Sequence, residues 1–153
     1  MRFEAQLLSD GFSAIRMTCS SIGQFLVRLQ YDVHELTMIL DSGASSSVVD
    51  IKKANRLDVD LEHLGVKAAG VGTSAAQVFR LPERKIRIGD LELAQTRLLA
   101  MDLSHVNQAL DERNVAAVDG VLGTDILISH KAIVACSEAT LFLKTPASET
   151  LPS

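Results

Sequence analysis

The chain has 153 residues, 47% of them hydrophobic and 22% charged, with a formal net charge of −4. That length and apolar share suit one compact domain with its own core and exclude a disordered chain. The acidic balance, with no Lys/Arg cluster interleaved with aromatics, excludes a phosphate-binding surface, so nucleic acid is not an expected partner.

Aromatic residues make up only 4% and Trp is absent, so the core must be aliphatic. The two cysteines, Cys19 and Cys136, stand in no short pairing motif. Neither a disulfide framework nor a cysteine zinc site is expected, and a reducing compartment fits this usage, although a single bridge between the two stays open. The first stretch, "MRFEAQLLSDGFSAIRM", carries acids and lacks the apolar centre of a signal peptide. No apolar run reaches the length of a membrane span. The expectation is a cytoplasmic protein without a membrane partner.

In chain order, "QFLVRLQY" alternates Phe25, Val27, Leu29 and Tyr31 with Arg28 and Gln30, which predicts a half-buried strand. Residues 32–35 make a polar turn, and "LTMIL" returns as a more fully buried strand. In "SSSVVDIKKANRL", Ser47 with Asp50 three residues on suggests a capped helix start, with Val48, Ile51 and Leu57 on its buried side. "VKAAGVGTSAAQVF" has small residues and glycines between extended arms, which suits a glycine-tipped hairpin.

The densest basic stretch, "RLPERKIRIGD", alternates like the solvated face of a strand. "KIRIG" and "LELAQTRLLAM" read as strands on either side of Gly89 and Asp90. "DLSHVNQALDERN" sets Leu103, Val106 and Leu110 at helical spacing, a surface helix. "VDGVLGTDILISHKAIVACSEATLFLK" reads as strand, glycine turn, short helix and final hairpin, and "TPASETLPS" as a flexible tail. Several strands with short turns and brief helices make a mainly β domain.

Three chemistries find little support. "GVGTSA", residues 70–75, matches a dinucleotide fingerprint, with Glu92 about 20 residues on. No convincing strand precedes Gly70, however, and Pro82 would cut the required helix short. His34, His63, His105 and His130 are scattered without ligand spacing, so no metal is expected. Ser42, Ser45, Ser46 and Ser47 lack the Gly-x-Ser-x-Gly elbow of a serine nucleophile.

Asp41 is different. In "TMILDSGASSSVVD" an apolar strand runs straight into a carboxylate, followed by Ser42, Gly43 and Ala44. Burying an unpaired charge is costly, so this is either an ordinary strand-end turn or a tuned acid. About eighty residues later Val121 and Leu122 precede Gly123 and a helix.

With these marks the chain resembles the retropepsin-like aspartic proteases, over roughly residues 25–143. Asp41-Ser42-Gly43-Ala44 matches the family's catalytic tetrad, and Val121-Leu122-Gly123 its later aliphatic-aliphatic-glycine. The resemblance implies an acid-protease half-barrel with a flap hairpin and short helices, its active site at a two-fold dimer interface. It places an N-terminal extension at 1–23, the retropepsin-like domain at 24–144 and a flexible tail at 145–153.

Asp41 would be catalytic, with Ser42, Gly43 and Ala44 supporting its loop. Gly70, Val71 and Gly72 would form the flap tip over the substrate, and Val121, Leu122 and Gly123 a second loop near the site. Ser42 would bond across the dimer, Gly43 would present its N–H to the carboxylates, and Asp125 would be a helix cap or structural acid. Ser45 and Ser46 stand where retroviral members carry acids. No cofactor or metal is implied.

Only one Asp-Ser-Gly occurs in the chain, so one chain supplies half of a catalytic pair. The implied function is a homodimeric endopeptidase acting on a peptide or protein substrate. The alternative is a dimerisation or peptide-binding module of the same fold with little turnover.

Overall fold

The computed structural model describes residues 2–68 and 75–146. Helix α1 (Arg2–Ser9) leads into strand β1 (Ser13–Arg16) and the short β2 (Thr18–Cys19). Strands β3 (Phe25–Tyr31) and β4 (His34–Leu40) form an antiparallel hairpin from Leu26↔Ile39 to Tyr31↔His34. The alternation predicted for β3 is present: Val27, Leu29 and Tyr31 are buried, whereas Arg28 and Gln30 are exposed. The turn is tight because Asp32 takes a left-handed φ of 52°, a conformation Asp tolerates better than most residues.

After β4 come β5 (Val48–Asp50) and a single-turn helix α2 (Ile51–Ala54). The expected capped helix from Ser47 is thus corrected. Val48–Asp50 extends as a strand because it has partners on both sides, which outweighs the local capping signal. It runs parallel to β10 (Leu99–Met101) and antiparallel to β11 (Gly120–Leu122).

The hairpin arms are β6 (Glu62–Ala68) and β7 (Ala75–Arg80), paired antiparallel, as the sequence predicts. Its expected tip, Gly70, Val71 and Gly72, lies outside the described residues. A strand does precede Gly70, contrary to expectation, but a second strand follows where a dinucleotide site needs a helix.

Strands β8 (Ile86–Ile88) and β9 (Leu91–Glu92) flank Gly89 and Asp90. "LELAQTRLLAM" is not one strand but β9, an irregular bend and β10. The break includes Gln95, whose φ of 47° no strand permits. Helix α3 (Ser104–Glu112), helix α4 (Thr124–Ser129), and the hairpin of β12 (Ile133–Ala135) with β13 (Thr140–Leu143) follow as predicted.

The larger sheet has the order β6-β7-β10-β5-β11-β4-β3-β8-β9, with β2 attached to β3. A smaller sheet, β1-β13-β12, sets β13 between the chain's beginning and its final hairpin. Leu141 and Leu143 of β13 join the same core as Val27, Leu29, Met38 and Leu122, so both sheets close on one aliphatic interior. Phe142 instead meets the Phe3 ring of α1 edge-on, with centroids 6.1 Å apart. Cys19 and Cys136 are both free thiols and exposed. No helix among the described residues is long and apolar enough to cross a membrane.

The site is positioned by one topological fact. Strand β11 lies between β4 and β5, parallel to the first and antiparallel to the second. The connection from β4 to β5 must therefore loop around the end of β11. Gly120 makes this insertion possible, since a Cβ there would sit 2.2 Å from the Val48 carbonyl oxygen.

Candidate active site

Asp41 is the first residue beyond β4, and its exposed side chain stands at the rim of the sheet. The parallel pairing of Leu40 with Leu122 brings the end of β11 beside it. Its backbone N–H donates to the Leu122 carbonyl at 3.0 Å, so the strand ladder is extended into the loop itself. The Gly43 N–H donates to Asp41 Oδ1 at 2.8 Å, and the Ala44 N–H to the Asp41 carbonyl at 3.2 Å. The carboxylate is thereby aimed by its own loop. A Cβ on Gly43 would lie 3.1 Å from Asp41 Oδ1, which explains why the smallest residue stands there.

The second loop clamps the first. The Thr124 N–H and hydroxyl both donate to the Ala44 carbonyl, at 2.8 and 3.1 Å. The Gly123 N–H donates to Ser47 Oγ at 2.9 Å, and Ser47 Oγ donates to Asp125 Oδ1 at 2.7 Å. The Ser47 N–H completes the set with Asp125 Oδ2 at 2.9 Å. Asp125 also accepts the Ile126 N–H at 2.9 Å, so its carboxylate serves the first turn of α4 and the loop at once.

Val121, Leu122 and Gly123 are thus brought against the Asp41 loop, while Ser42 and Ser45 remain exposed at its outer side. A shallow polar cavity of about 410 Å³ lies elsewhere, lined by residues 83–85 and 92–96, and includes none of these groups.

Ser47 is the residue that sequence reasoning placed wrongly. It is a wholly buried hydroxyl joining two loops, not the cap of a helix. Its one local signal was position, immediately before two valines that had to be buried on a strand. Nothing local could pair it with residue 125.

Chemically, the arrangement holds one exposed carboxylate through a single backbone amide, that of Gly43. One acid in this setting can orient a water or accept a proton, but it cannot hold a second acid's proton.

The family model for aspartyl proteases matches residues 27–126, which include Asp41 and the Gly123 loop. No curated protein sequence matches the chain. Among solved structures, a retropepsin-like aspartic protease from Rickettsia conorii is similar at 18% identity, TM-score 0.57, covering 86% of this chain and 90% of that one. The retroviral protease-like domain of Ddi1 from Leishmania major is similar at 16% identity, TM-score 0.55, covering 84% and 98%. The EIAV protease, complexed with an inhibitor, is similar at 24% identity, TM-score 0.51, covering 72% and 91%. At these identities the structures establish the shared fold, which is retropepsin-like and mainly β.

Proposed function

The chain belongs to the aspartyl protease family, and from that premise we propose that it is a homodimeric aspartic endopeptidase. The observation that carries this reading is the single exposed Asp41, fixed by the Gly43 amide at the end of β4 and held against β11. A two-fold axis beside it would bring Asp41 of a second chain to the first and complete a dyad.

Two carboxylates about 3 Å apart cannot both ionise, so the dyad holds one proton between them and titrates as a unit. The ionised partner acts as general base on a water. The protonated partner donates to the scissile carbonyl oxygen, which takes on negative charge as the water attacks. The proton taken from water is then delivered to the departing amine. This cycle needs one proton per pair, so activity belongs on the acid side and fails when both acids are ionised.

The roles of the neighbours follow from the same reading. Gly43 donates to whichever Asp41 oxygen is charged, and Ser42 ties the two chains' loops together. The β6–β7 hairpin closes over an extended peptide and excludes water.

The deciding experiment is hydrolysis of an unstructured protein by purified wild-type and Asp41→Asn chains. The amide keeps the oxygen that accepts from Gly43 but cannot share a proton, so cleavage should vanish while the fold persists. Equal cleavage by both would refute the assignment. Absence of cleavage by the wild type, with peptide binding retained, would leave the binding-module reading in its place.

A further inference from the structure

The β6–β7 hairpin changes its support partway along its length. At its base Arg80 and Phe79 of β7 pair with Leu99 and Ala100 of β10 on one side and with Glu62 and His63 of β6 on the other, so this part is three strands wide. Two side-chain contacts fasten it. Arg80 donates to Glu62 Oε2 from Nε at 3.0 Å and from Nη2 at 2.7 Å, and the His63 and Phe79 rings meet edge-on with centroids 5.1 Å apart. The ladder to β10 stops at Phe79, and β6 is itself the edge of the sheet. Beyond the base, residues 65–68 and 75–78 form a ribbon of two strands only.

The pairing register breaks at that same boundary. His63 faces Phe79 and Gly65 faces Val78, so Leu64 is an extra residue on the β6 side, a β-bulge. Gly65 carries a φ of 106°, which residues with a side chain rarely adopt, and a Cβ built on it would meet no atom within 4 Å. Glycine is required there by the backbone and not by crowding. Opposite it Val78 is buried, so β7 stays seated while the bend falls in β6. A two-stranded ribbon has little stability of its own and a bulge disrupts its ladder, so few interactions fix its orientation.

We propose that the bulge at Leu64 and Gly65 is the pivot of the β6–β7 hairpin: residues 66–68 and 75–77 swing as one ribbon against the fastened base, and Gly65 absorbs the change in φ and ψ. The inference rests on the reading that this hairpin closes over a peptide, and adds to it the residue that positions the closing arms. The arms keep their own pairs, Val66↔Gln77 to Ala68↔Ala75, through the movement. The base, meanwhile, insulates the acid. Leu99, paired with Arg80, donates its N–H to the Ser47 carbonyl at 3.1 Å, in the loop that carries Asp41. Movement that ends at Gly65 and Val78 therefore leaves that loop in place.

The test is NMR relaxation dispersion of backbone amides in the full chain without substrate, on the microsecond-to-millisecond scale of such motions. The amides of Val66 and Gln77 should share one exchange rate, and those of His63, Phe79 and Leu99 should show none. Gly65→Ala tests backbone freedom alone, since the added methyl meets nothing, and should shift the shared rate or population about tenfold on both arms. Gly23→Ala is the control. Its φ of 84° and empty surroundings resemble those of Gly65, but it lies between β2 and β3, outside the hairpin, and should leave the arms unchanged.

Exchange that is absent from the wild type, that spreads past Phe79 into β10, or that changes equally in Gly65→Ala and Gly23→Ala overturns the pivot. So does an unchanged rate in Gly65→Ala. The enzyme reading fails separately: a chain whose arms swing within these bounds, but which neither cleaves nor binds reduced and carboxymethylated casein, keeps the pivot and loses the function assigned to it.

Discussion

Ser47 and Asp125, 78 residues apart in the chain, are joined twice: Ser47 Oγ donates to Oδ1 at 2.7 Å and the Ser47 N–H to Oδ2 at 2.9 Å. The same hydroxyl accepts the Gly123 N–H. One buried side chain therefore ties the Asp41 loop to the end of β11 and to α4.

Ser47→Ala removes that hydroxyl and leaves a buried amide and a carboxylate oxygen each short of a partner. The expected cost is about 1–3 kcal/mol, read in chemical or thermal unfolding. Asp125→Ala should cost at least as much, since it abandons the Ser47 N–H as well. An unfolding midpoint for Ser47→Ala equal to wild type would show that these bonds contribute nothing net.

Gly123→Ala tests close approach in place of backbone strain. The φ of −103° is open to any residue. A Cβ there, however, would stand 2.7 Å from the Ala44 carbonyl oxygen and 2.8 Å from that of Ser46. Both are backbone atoms, so the loop carrying Asp41 must yield. A displacement of this kind should lower kcat roughly 10²-fold, with overpacking costing about 1–3 kcal/mol of stability. Full activity in a Gly123→Ala chain would mean that the loop gives way without disturbing Asp41.

Mixing wild-type and Asp41→Asn chains examines whether the site is shared. With equal amounts and complete exchange, only wild-type pairs are active, about a quarter of all dimers under random pairing. Activity should follow the square of the wild-type fraction and fall on dilution below the dimer dissociation constant. A linear mixing curve with no loss on dilution would place a whole site in each chain.

Asp102 gives a stability test away from the site. The Ser104 hydroxyl and N–H both donate to its Oδ1 at the start of α3, and these bonds hold its carboxyl below the ordinary carboxylate range. A depressed folded-state value contributes stability above the unfolded carboxylate value, and that contribution is lost as pH falls through the folded one. Asp102→Asn should therefore melt below wild type at neutral pH, and the gap should close in acid. A gap that persists unchanged in strong acid would assign the effect to something other than the charge.

The hairpin of β3 and β4, the arms of β6 and β7, and helices α3 and α4 were legible because periodicity and turn residues are local signals. Asp41 was legible for a related reason: a carboxylate ending an apolar strand, followed by Ser-Gly-Ala, is an arrangement the chain must explain within a few residues. Val48–Asp50 was not. Its capping pattern and its strand pairing conflict, and only the presence of β10 and β11 on either side decides between them.

What the sequence determined by itself was the family and the marks that point to it: one acid, a glycine beside it, an aliphatic core and a second glycine loop far along the chain. The insertion of β11 between β4 and β5 was decided only in three dimensions, because parallel pairing joins segments with no local signal for one another. From that insertion follow the Ser47–Asp125 tie and the steric demand for Gly120 and Gly123. Local patterns can mark which residues belong to a family's motifs, but how those motifs meet is set by packing between distant strands.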